Sequence, residues 1–137
     1  MRQRNTCPRR RCSEPQCRRG GRAAVSPHEG LQTAAVLGHI QKLVGDARRI
    51  TQRGSELFFD REDRTQRLAG RAIVIDVQTA ATALPQAFRD RHPTVAWDQL
   101  RPMRDLLALD YEKTDYSVVW DALVRDFPEL LVQFGID

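Results

Sequence analysis

The segment RPMRDLLALDY, Arg101 to Tyr111, sets charged and phenolic side chains around the apolar patch Leu106 to Leu109. Such a segment is either a core helix with polar ends or a catalytic strip. On a helix, Arg104 and Tyr111 are seven residues apart, which puts them within about 20° of one line and two turns from each other. Asp105 and Leu109, four apart, share a neighbouring face. A solvated arginine and a half-buried tyrosine on an ordinary amphipathic helix give the same pattern. Spacing alone therefore leaves both readings open.

Metal chemistry has less to recommend it. Cys7, Cys12 and Cys17 recur at intervals of five residues, whereas zinc sites pair their cysteines two to four residues apart and need four ligands, of which His28 would have to be the last. The reading is no metal and no cofactor. Of the other histidines, His39 falls on the first helix, as a half-exposed or satisfied core residue. His92 belongs to the turn Arg91-His92-Pro93 and reads as structural.

The charge is unevenly spread along the 137 residues. Residues 1–22 hold eight arginines against Glu14, a charge of +7, which leaves −3 for the rest of a chain whose total is +4. Basicity thus belongs to the N-terminal segment and gives no ground for reading the remainder as a general polyanion binder. Residues 1–27 read as a disordered Arg/Pro/Gly-rich extension without apolar periodicity. The sharper alternative is an arm that binds RNA phosphates. Val25 opens VSPHEG just before the first helix, and bacteria can initiate at a valine codon, so whether residues 1–25 are translated is a question for the intact mass of the natively expressed protein. A chain with 41% hydrophobic residues can build one core. No apolar run approaches the ~20 residues of a membrane span, and no secretory pattern follows the basic start. The expectation is a soluble, cytoplasmic protein with a domain at 28–137.

Helical spacing dominates that domain. Val36, Ile40, Leu43, Val44, Ala47 and Ile50 gather on one face of a helix from about Glu29 to Gln52, which Gly54 ends. Phe58 and Phe59 are expected to fold back onto the core. A second helix, from Asp60 or Arg64 to Leu84, carries two adjacent stripes. One is Leu68, Ala72, Ile75 and Thr79, and the other Ala69, Ile73, Val77, Ala80 and Leu84. An arc that wide needs covering from two sides, so a dimer is expected. A short turn follows Pro85, and another spans Trp97 to Leu100. Pro102 suits the first position of a helix that runs to Tyr111. Asp115 caps the closing helix, which buries Tyr116, Val119, Trp120, Leu123 and Phe127, and Pro128 should kink or restart it. Only IVIDV looks strand-like, and its flanks are helical. The fold class is all-α, an up-and-down bundle of four to five helices.

Arg91 to Phe134, RHPTVAWDQLRPMRDLLALDYEKTDYSVVWDALVRDFPELLVQF, resembles the C-terminal half of the HepT-like family of HEPN-superfamily toxins. The resemblance rests on Arg91, His92, Pro93, Trp97, Met103, Arg104, Asp110, Tyr111, Asp115, Trp120, Pro128, Glu129 and Leu130, in order and at family spacing. VQTAATALP is similar, less closely, to the family's Ile-Gly-Glu-Ala segment ending in Leu-Pro. The likeness covers about Gly30 to Phe134.

That resemblance implies a HEPN-type dimer, a metal-independent RNA endonuclease, and a cognate nucleotidyltransferase antitoxin of the MntA type that silences it by transferring AMP to the motif tyrosine, here Tyr111. The family motif reads Arg, four residues, His, any residue, Tyr. Histidine moves protons near neutral pH, and the arginine fork steadies charge growing on a phosphate. Arg104 and Tyr111 match, Asp105 stands where the family usually has Asn, and Leu109 occupies the histidine position. Leucine cannot carry a proton, and loss of a general acid or base costs ~10²–10⁴ in rate. Thr79 replaces a family glutamate. The expectation is a ribonuclease weakened or lost at Leu109, with Arg104 holding phosphate and Asp105 orienting it. The alternative is a non-catalytic dimer that binds a partner protein or RNA.

Overall fold

The structure, a computed structural model, describes residues 27–136 apart from Asp110, and the backbone alone at Pro27, Leu106 and Tyr111. The readings made for the basic extension, its cysteines and the Tyr111 side chain lie outside the described residues.

Helix α1, Pro27–Gln52, already includes the two residues before the expected Glu29, and Pro27 is tolerated in a first turn, where no N–H is required. Ile40, Val44, Ala47 and Ile50 are buried along it, and Val36 and Leu43 pack half-buried beside them, so the inward face is the one its spacing predicts. Gly54 ends it with φ 96° and ψ 157°, a conformation that costs a residue with a Cβ several times what it costs glycine. The single turn α2, Ser55–Phe58, then drives Phe58 fully into the core. Phe59 stays at the rim, 38% exposed.

Helix α3, Thr65–Thr82, is the central rod and packs against α1, α5 and the closing helix. Its buried line is Gly70, Val74, Val77, Gln78 and Ala81. Of the two stripes read from the sequence, Val77 and Leu84 are buried, Ile73, Ile75 and Ala80 pack half-buried against the core, and Leu68, Ala69, Ala72 and Thr79 are exposed on the single chain. The spacing did not mark Gly70. A Cβ there would stand 2.9 Å from both Leu123 Cδ1 and Phe58 Cε2, so the closest approach in this part of the core is to bare backbone, and apolar periodicity cannot register it.

Pro85 leads into α4, Gln86–Asp90, which buries Phe88. Helix α5 spans Trp97–Leu109 and contains Pro102. It begins a turn and a half before the expected start, and the reason is tertiary. Trp97 stacks on Phe134 at 5.8 Å with 10° between the ring planes, and its indole N–H donates to the His92 carbonyl at 2.8 Å. These contacts hold the first turn helical despite the donor that Pro102 lacks. After a 3₁₀ turn, Tyr111–Lys113, the chain closes with α6, Tyr116–Asp121, a π-helical turn, Ala122–Asp126, and α7, Phe127–Phe134. Asp115 caps α6 as expected, accepting from the Ser117 N–H at 2.9 Å. The π turn ends where Pro128 removes a donor from the ladder, which is the local restart the proline predicts. Val119, Leu123 and Phe127 are buried, whereas Tyr116 and Trp120 are half-buried against Phe58. Gly135, φ 73°, ends α7 with the Ile136 N–H returning to the Leu131 carbonyl.

The described residues hold helices and no strand. The protein is an all-α bundle, and IVIDV lies within α3. Among the described residues no helix is long and apolar enough to cross a membrane.

Candidate functional site

The inward line of α5 is Trp97, Leu100, Arg104 and Leu107, at steps of three and four. Leu107 is buried and Leu100 packs against the core. Arg104 thus occupies a packing position with a charged head, and its side chain is 25% exposed. Its Nε and Nη2 both donate to Asp105 Oδ1, at 3.1 and 2.8 Å. Asp105, 47% exposed, holds the guanidinium in one orientation and at the same time competes for the donors an incoming anion would use.

The Arg104 side chain lines an open cleft of about 600 Å³. Arg101 and Pro102 of α5 line it as well, with Trp97 and Asp98 from the first turn of that helix. The opposite wall comes from Thr82 at the end of α3 and Arg89 of α4. A second hollow of about 490 Å³ continues past Arg89, Trp97 and Asp98 toward Gln86 and Pro93, so the two form one trough. The first cleft carries three arginines against one carboxylate, Asp98.

Arg89 is built into the wall. Its Nε donates to the Leu84 carbonyl at 3.1 Å and its Nη2 to the Thr82 carbonyl, so the cation satisfies acceptors at the negative end of α3. Its guanidinium also lies over the Trp97 ring, 5.8 Å from the centroid. Arg71, on α3, fixes the other end of α5. Its Nε and Nη2 both donate to the Leu107 carbonyl, at 2.9 and 2.6 Å.

The clamp lies beside the 3₁₀ turn that Tyr111 opens. The α-helix expected to run to Tyr111 is corrected to 3₁₀ geometry at that residue. Leu109 is 83% exposed, and five residues from Arg104 is about 140° of rotation around the helix. It is not on the cleft wall. Thr79 is exposed and its hydroxyl donates to the Ile75 carbonyl at 2.8 Å. His92 stacks on Phe88 at 4.2 Å, with Nδ1 2.8 Å from the Phe88 carbonyl oxygen, in the structural role expected of it. His39 is exposed on α1. Among the described residues no three His, Cys, Asp or Glu side chains gather where a metal could be held.

The structure therefore brings Arg104 and Asp105 together and leaves Leu109 apart. Arg89, Arg101 and Arg71 escaped the sequence reading. The i, i+3 spacing of Arg101 and Arg104 was visible as a signal. Nothing local announces Arg89 or Arg71, whose partners lie on other helices or past a proline.

A helical bundle with a basic cleft on its motif helix is the class of protein defined here. The chain matches the family described as Ribonuclease HepT-like over residues 40–134, and it belongs to that family. It is 35% identical over 51 residues to "Putative RNase TTE0752" of Caldanaerobacter subterraneus subsp. tengcongensis, covering 37% of this chain and 46% of that protein. It is 32% identical over 73 residues to "Probable ribonuclease HepT" of Thermococcus cleftensis, covering 53% of this chain and 66% of that protein. The chain thus spans about half to two thirds of the length of these curated relatives. No solved structure matches it.

Proposed function

We propose that the protein is a HepT-like toxin-family endoribonuclease that binds RNA at the Arg104 cleft and cleaves it weakly without a metal, because Leu109 stands at the proton carrier's position. The observation that carries this reading is the half-buried Arg104 on the wall of a cleft shared with Arg89 and Arg101, while Leu109 projects into solvent with no group that titrates.

Cleavage by attack of a 2′-hydroxyl on the adjacent phosphorus needs three things: a proton removed from the nucleophile, a proton supplied to the leaving 5′ oxygen, and stabilisation of the negative charge in between. Arg104 supplies the third. Asp105 orients the guanidinium and must yield at least one donor when phosphate arrives. Without a histidine, water must carry the protons, at a cost of ~10²–10⁴ in rate. The remaining parts of the reading follow family membership: a homodimer that brings two α5 helices to one cleft, an operon partner of the nucleotidyltransferase type, and Tyr111 as the AMP acceptor.

The test is cleavage of a mixed RNA substrate by the full chain beside Leu109→His and Arg104→Ala. Weak cutting that Leu109→His raises and Arg104→Ala abolishes supports the proposal. If the native chain is inert and only Leu109→His cuts, the exposed leucine marks a non-catalytic family member that serves through its partner or by holding RNA. Cutting unchanged by Arg104→Ala would overturn the assignment of the site.

A further inference from the structure

We propose that Arg101 forms a second phosphate subsite beside Arg104, so that the cleft holds two neighbouring phosphodiesters of one RNA strand. This rests on the RNA-binding reading above and deepens it.

The three cleft arginines are not equivalent. Arg89 spends Nε and Nη2 on the carbonyls of Leu84 and Thr82. Arg104 spends the same two nitrogens on Asp105. Arg101 is exposed, lines the same cleft, and has no hydrogen-bonded or ionic partner among the described residues. Its whole fork of donors is open to the cleft, with the geometry that suits a phosphate.

Position supports the pairing. Arg101 and Arg104 are three residues apart on α5, which puts their Cβ atoms about 5–6 Å apart on one side of the helix. Two guanidiniums on one wall favour a chain of anions over a single one, and the trough continues past Arg89 toward Gln86 and Pro93. Asp98 opposes this in the first cleft and Asp90 in its extension, where Gln86 Nε2 donates to it, so the whole trough sets two carboxylates against three cations. The repulsion from Asp98 falls at the start of α5, so it favours a strand that enters over Arg101 and Arg104.

The same cleft indicates what is read. Trp97, the one aromatic among its described lining residues, is already engaged, stacked on Phe134 and lying under the Arg89 guanidinium. No aromatic face among the cleft residues is left for a base to stack on. Arg101 therefore recognises backbone phosphate, and the subsite adds affinity without adding base preference.

The experiment is fluorescence anisotropy with a labelled single-stranded RNA carrying 2′-O-methyl groups, which removes the nucleophile so that binding is read without cleavage. The full chain is compared with Arg101→Gln, Arg101→Lys, Arg104→Gln and Arg53→Gln across a salt series. Arg53 is exposed at the end of α1 and lies outside the cleft. The charge of the N-terminal segment is common to every variant, so differences report the cleft. The expected result is binding about tenfold weaker for Arg101→Gln, intermediate for Arg101→Lys and unchanged for Arg53→Gln. The slope of log K against log salt should fall by about 0.7 in Arg101→Gln. If Arg104→Gln weakens binding but Arg101→Gln behaves like Arg53→Gln, the second subsite is wrong and the site at Arg104 stands. If all three glutamine variants bind alike, or the native chain binds no RNA, both readings fall.

Discussion

Replacing Arg71 by Met keeps most of the apolar stem and removes the fork that holds the Leu107 carbonyl at 2.9 and 2.6 Å. Two donors share one acceptor, so they count as one charge-assisted interaction, for which about 1.5–3 kcal/mol is typical. The contact is part-buried, and water can replace some of it, which brings the expected loss to about 1–2 kcal/mol. For a domain of this size that lowers Tm by about 4–10 °C. Thermal melts and urea titrations of Arg71→Met and Arg71→Lys provide the assay, with amide exchange in the last turn of α5 as the local readout. Lysine retains a donor without the fork and should recover part of the loss. The effect should extend to function, since Arg104 sits one turn before the clamped carbonyl. RNA cleavage should fall further than stability alone explains. A Tm for Arg71→Met within a degree of the native value, with unaltered exchange at the end of α5, would refute the clamp.

Three further outcomes are expected. Gly70→Ala gains about 1 kcal/mol of helix propensity but sets a Cβ 2.9 Å from two core atoms, which costs about 1–3 kcal/mol because Phe58 and Leu123 have no room to yield. The net is a loss of about 1 kcal/mol in urea unfolding, and a gain in stability would contradict the packing. Gln78 is 4% exposed and its Oε1 has no hydrogen-bond partner among the described residues, so Gln78→Leu should stabilise by about 1 kcal/mol. A destabilisation of that size in the same assay would show that the oxygen is satisfied. The Thr65 hydroxyl, and after it the Thr65 backbone N–H, hold the Asp63 carboxyl below its ordinary value. A depressed folded-state pKa contributes stability above the unfolded value, lost as pH falls through the folded value. Thr65→Val should therefore raise the Asp63 titration midpoint seen by NMR, and an unmoved midpoint would remove the hydroxyl as the cause.

Local chemistry was legible because its partners are neighbours in sequence. Asp115 reaches a backbone N–H two residues on, Gly54 marks a conformation set by its own φ and ψ, and Pro128 removes a donor from its own helix. The inward face of α1 followed from spacing because that helix buries one side. Spacing found only part of the inward face of α3, which is packed from several directions and meets core side chains closely at a residue with no side chain of its own. It misled at Pro102, where Trp97 anchors an earlier helix start through contacts with His92 and Phe134.

By itself the sequence determined the all-α class, the family, the identity of Arg104 as a candidate site residue and the presence of a side chain without a titratable group at Leu109, since each is a matter of residue type at a fixed chain interval. Tertiary structure alone decided that Arg104 sits half-buried on a packing line, that Arg71 clasps the Leu107 carbonyl, and that Arg89 and Arg101 share a cleft with Arg104. Those facts depend on which carbonyls and rings a long cationic side chain can reach across the bundle, and that reach is set by how the helices pack, which no interval along the chain encodes.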